Sequence, residues 1–119
     1  MTGRELFNKA MILLGYTDSD GSVQMSDRIN SRALTCVNQV YADLFYASYS
    51  GRAFSPLTNL SGVVELPERI LNEVAPYGVA SFIAQSEGDG ENNQIFIALF
   101  NKKRNLLTHF EKIKDEFWG

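Results

Sequence analysis

At 119 residues, with 45% apolar and 21% charged side chains, the chain suits one domain with a real core and is too apolar for wholesale disorder. A net charge of −3 gives no bulk attraction to nucleic acid or to an acidic membrane. No apolar run nears the ~20 residues of a membrane span, the single cysteine Cys36 has no internal disulfide partner, and Thr2-Gly3-Arg4-Glu5 leads into an amphipathic rather than a secretory segment. The expectation is a soluble protein of a reducing compartment.

Thr2-x-x-Glu5 is a capping box, in which hydroxyl and carboxylate satisfy each other's backbone amides. It predicts a helix that buries Leu6, Phe7, Ala10, Met11, Leu13 and Leu14. Gly15 ends it in the left-handed conformation that costs other residues more. Tyr16 to Met25 is polar and turn-rich, an exposed loop. Ser26 or Asp27 caps a second helix running to about Tyr49, with Ile29, Ala33, Cys36, Val37, Val40, Leu44 and Phe45 at helical spacing. Tyr41, Tyr46 and Tyr49 widen its apolar band, and Ser50-Gly51 marks its end.

Residues 51 to 66 interleave Phe54, Leu57, Leu60, Val63 and Val64 with Ser, Pro, Thr, Asn and Gly. This pattern predicts a short β-prone insert, with a small hairpin around Asn59 to Gly62. An isolated two-stranded ribbon is marginal in water, so its apolar residues must pack on the helices or on a partner chain.

Pro67 suits the first turn of a third helix, where its missing N–H is not needed. Ile70, Leu71, Val74, Tyr77, Gly78, Phe82 and Ile83 form its buried stripe. Pro76 removes the bond to the Asn72 carbonyl and predicts a kink near residues 72 to 76. Gly78 leaves room for a neighbouring helix. Asp89 caps a fourth helix from about Gly90 to Phe117, with apolar positions Ile95, Phe96, Leu99, Phe100, Leu106, Leu107, Phe110, Ile113 and Phe117. At roughly 40 Å it outreaches the third helix, so one end should project. The fold class that follows is mainly α: one four-helix bundle-like domain over residues 1–119, with the β-prone insert between helices two and three.

Candidate chemistry is sparse. His109 has no spacing that promises an orienting partner and a nucleophile. Cys36 lies on the apolar stripe of the second helix, where free cysteine behaves as a small hydrophobe. Cys-x-x-Cys, His pairs and Glu-x-x-His are all missing, so no catalytic, cofactor or metal residues are assigned. Asp18-Ser19-Asp20-Gly21-Ser22 superficially resembles a calcium loop, but the register that should end in Glu ends in Ile29. Gly88-Asp89-Gly90 joins helices and carries no Lys or Ser/Thr for phosphate. Lys102-Lys103-Arg104 is the one basic cluster. Its charges spread around a helix at about 100° per residue, which suits a solvated face or a salt bridge better than DNA phosphate. Two apolar features point to partners: the 54–64 loop and the terminal Phe117-Trp118.

The order of short motifs is more distinctive than any of these. Leu14-Gly15-Tyr16 ends the first helix, and Asn38-Gln39-Val40-Tyr41-Ala42-Asp43-Leu44 lies in the second. The insert ends at Glu65-Leu66-Pro67. Tyr77-Gly78-Val79-Ala80, Glu87-Gly88-Asp89 and the helix with Phe96 to Phe100 follow. Over roughly residues 3 to 110 this layout resembles the small head–tail connector (adaptor, or head-completion) proteins of tailed bacteriophages and prophages. The resemblance implies a virion structural protein of the neck, assembled in the bacterial host cytoplasm, without an active site, cofactor or membrane. Its copies would form a ring that binds the portal protein on one side and a tail or stopper protein on the other. DNA would pass through without sequence-specific contact, and an acidic balance suits such a lumen. Phe54, Leu57, Leu60, Val63 and Val64 would then meet a neighbouring subunit, Phe117 and Trp118 the portal, and Lys102, Lys103 and Arg104 the DNA lumen. The other readings are a different neck or tail component and a non-viral helical interaction module.

Overall fold

A computed structural model of the chain describes the backbone of residues 1–23 and 26–118, and side chains as far as residue 107. It is mainly helical: α1 (Gly3–Leu14), α2 (Asp27–Ser48), α3 (Glu68–Glu73), α4 (Ala75–Ser86) and α5 (Gly90–Trp118). α4 is central and packs against each of the other helices. It is accordingly apolar nearly all round, with Val79, Ala80, Ile83 and Ala84 buried.

The capping box forms as expected. The Glu5 amide donates to Thr2 Oγ1, and the Thr2 amide donates to Glu5 Oε1, each at 3.1 Å. Gly15 closes α1 at φ 75°. Ser26 caps α2, its hydroxyl accepting from the Ile29 amide at 3.2 Å. The expected kink is a full break. Val74 (φ −120°, ψ −54°) separates α3 from α4, and Pro76 falls in the first turn of α4, where its missing N–H leaves no gap.

The expected hairpin is absent; the described residues contain two isolated β-bridges, Thr2–Val63 and Thr17–Val23. The insert pairs instead with the start of α1. The Gly3 amide donates to the Gly62 carbonyl at 3.0 Å, Arg4 to Leu60 at 2.8 Å, and Val64 to Met1 at 2.9 Å. A helix N-terminus has amides without intrahelical partners, and the insert's carbonyls satisfy two of them. This outweighs what a marginal ribbon gains by pairing with itself. Gly3 makes the approach possible, because a β-carbon there would lie 2.8 Å from Leu57 Cδ1.

Asn38 ties the insert to α2 from the other side. Its amide donates to the Leu57 carbonyl at 3.0 Å and accepts from the Leu57 amide at 2.8 Å, as a backbone neighbour would. Phe54 packs edge-on against Tyr41 with ring centroids 4.9 Å apart.

Candidate interaction surfaces

Of the insert residues expected at an interface, Val64 is 1% exposed and belongs to the chain's own core. The backbone here is extended, so its side chains alternate. Val63 points out at 59% exposure, while Val64 and Leu66 point in. Phe54, Leu57 and Leu60 are half-buried against the same core. The insert therefore presents Val63, with Tyr46 of α2 exposed near the ring of Phe54 at a centroid distance of 5.9 Å. Beside them runs a groove of about 340 Å³, lined by Tyr41, Phe45, Tyr49, Arg52, Leu57, Val63 and Glu65, among others.

α5 carries two apolar stripes. Phe96, Phe100, Lys103 and Leu107 follow one 4-3-4 spacing and face α4, with Phe96 and Phe100 buried. Ile95, Leu99, Lys102 and Leu106 follow the same spacing one residue earlier. They are exposed, Ile95 at 48% and Leu106 at 66%. Sequence reasoning pooled both sets as one apolar band. The signal that separates them is the duplicated spacing, since only one of two stripes about 100° apart can face a single helix. The described part of α1 also exposes Ile12, over a small groove shared with Leu13, Pro76 and Tyr77.

The basic cluster is divided three ways. Arg104 forks onto Asp43 of α2, Nε to Oδ2 at 2.6 Å and Nη2 to Oδ1 at 3.1 Å, and that bond holds its proton more firmly. Lys103 lies 4.7 Å from the Tyr77 ring centroid. Lys102 is exposed on the outer stripe. The side chains of His109, Phe117 and Trp118 lie outside the described residues.

The remaining candidates sit in structural roles. Cys36 is 5% exposed beside a groove of about 500 Å³ between α2 and α4, lined also by Arg32, Gln39, Phe82 and Gln85. Burial raises its thiol pKa, against a smaller lowering by Arg32, so the thiol stays protonated at neutral pH. The 18–22 loop closes on itself, with the Ser22 hydroxyl and amide both donating to Asp20 Oδ1. Among the described residues no group of three or more His, Cys, Asp or Glu gathers, and no helix is long and apolar enough to cross a membrane.

The arrangement is a helical body with exposed apolar strips that bear single charges. The chain matches no protein-family model, no curated protein and no solved structure. Its functional reading therefore rests on the motif layout and on these surfaces.

Proposed function

We propose that the chain is a head–tail connector subunit of a tailed bacteriophage or prophage. In this reading its copies form a ring between the portal and the tail or stopper protein, and DNA passes through without sequence-specific contact. The observation that supports it best is the Leu66–Leu107 segment: a helical hairpin of α4 and α5, preceded by an insert stapled to α1 and α2, with the outer stripe of α5 left uncovered. A ring subunit needs a body that does not deform and at least two surfaces that neighbours can bury. Here the insert is held by backbone and Asn38 bonds, and apolar residues are exposed both beside it and on α5.

Deleting the gene from the parent phage tests the proposal. The expected result is DNA-containing heads without tails and no plaques, with infectivity restored by a copy supplied in trans. Infectious particles assembled without the chain overturn it. Tails that lack a distal part, on otherwise normal necks, reassign the chain to another tail component.

A further inference from the structure

We propose that the exposed apolar surface beside the insert and the outer stripe of α5 are the two halves of one head-to-tail interface between copies of this chain. The groove edge with Val63 and Glu65 on one copy, together with exposed Tyr46 near Phe54, receives the α5 stripe Ile95, Leu99, Lys102 and Leu106 of the next. This rests on the ring reading above and specifies the subunit contact within it.

The first argument is placement. Arg104 bonds Asp43 and so marks the side of α5 that faces α2. The outer stripe lies about 140 to 180° around α5 from Arg104 and therefore points away from α2. Tyr46 and Val63 belong to the flank of α2 that carries the insert. The two surfaces are thus distinct and belong to different elements. Two different surfaces that fit each other form a heterologous contact, which closes into a ring or propagates as a filament, whereas one self-complementary patch stops at a dimer.

The second argument is charge. The stripe carries exposed Lys102 among its aliphatic residues, and the groove carries exposed Glu65 beside Val63. Lys102 of one copy opposite Glu65 of the next brings opposite charges together at the contact and helps to fix the partner surface. A second copy is the occupant that supplies both halves.

Free chains should associate weakly, and a ring held on a scaffold should make the contact persistent.

Cysteine trapping on portal rings of the parent phage tests the pairing. Val63→Cys and Leu99→Cys chains, both with Cys36→Ala, are oxidised singly and mixed, free and portal-bound. The expected result is a portal-dependent mixed dimer, several-fold above the yield of either chain alone. Lys102→Glu in the Leu99→Cys chain should lower that yield several-fold, and Glu65→Lys in the Val63→Cys chain should restore it. Equal yields from single and mixed samples overturn the pairing, as does indifference to charge reversal. A ring that forms on the portal but does not trap this pair overturns the pairing alone. Failure of wild-type chain to add to the portal overturns the ring reading as well.

Discussion

The ring of Phe100 stands over Gly78 so closely that a β-carbon on residue 78 would lie 2.7 Å from Phe100 Cε1. That contact sets how near α5 comes to α4, and so where the outer stripe of α5 stands. Gly78→Ala gains ~1 kcal/mol of helix propensity but meets an overpacking cost of about 1–3 kcal/mol. The net expectation is lower stability in urea unfolding, with Phe100→Leu costing less in the Gly78→Ala background than in the wild type. Additive effects of the two substitutions would show that the contact is not tight.

Asn38 makes two bonds to the backbone of Leu57 and is half-buried. Asn38→Ala removes both side-chain partners of that half-buried amide and carbonyl and should cost about 1–3 kcal/mol. Asn38→Asp should cost no less, because a carboxylate then faces the Leu57 carbonyl. Hydrogen exchange should show the loss of protection centred on Leu57. A uniform loss over the whole chain would instead mean that the insert is not held locally by Asn38.

At the α4–α5 junction Asp89 Oδ2 accepts from the Asn92 side chain at 2.7 Å and from the Tyr16 hydroxyl at 2.8 Å. The Asn92 side chain first, then Tyr16 and the Asn92 amide, hold the Asp89 carboxyl below its ordinary pKa. The stability this contributes is present above the unfolded carboxylate pKa and is lost as pH falls through the lower folded value. Tyr16 behaves in the opposite sense. Burial, then its bond to Asp89, push it up to about 12. Its contribution is whole below the unfolded value near pH ~10 and is lost as pH rises through the folded one. In an absorbance titration, the difference between the wild type and Tyr16→Phe should show a tyrosine that ionises near pH 12 and moves down in Asp89→Asn. A difference curve centred near pH ~10 would contradict the assignment.

Much of the fold was legible because it is local. The capping box, Gly15, the Asp89 cap and the Pro76 break each need only a few neighbouring residues, and each lies where the sequence predicts. Gly78 promised a close neighbour, and the neighbour is Phe100. The insert was not legible. Its partners, Thr2 and Asn38, are far away in the chain, and no periodicity reports a bond between a helix amide and a distant carbonyl. The burial of Val64 did leave a trace in the alternation of Val63, Val64, Glu65 and Leu66, which a loop reading passes over. The surfaces were half-legible. The two stripes of α5 are written in the spacing, but which one faces α4 depends on Gly78 and Tyr77, one helix away.

The division of the basic cluster bears on DNA. Arg104 is forked onto Asp43 and Lys103 stands over Tyr77, so we expect the three charges not to act as one phosphate-binding unit. Fluorescence anisotropy with duplex DNA should show only weak binding at physiological salt, and a log–log salt slope of magnitude ~1 or less. Lys102→Ala should leave the affinity within about 2-fold, since one phosphate contact accounts for little of it. A steep slope that Lys102→Ala and Lys103→Ala both reduce would place the cluster on DNA.

We propose that the chain builds a ring on a portal. Purified portal rings of the parent phage, mixed with excess chain and imaged by electron microscopy after size exclusion, test it most directly. The expected result is an added layer of density coaxial with the portal, with rotational symmetry and the outer α5 stripe of each copy against the insert of the next. Portal rings that elute and image unchanged, with the chain left in its own fraction, would contradict it.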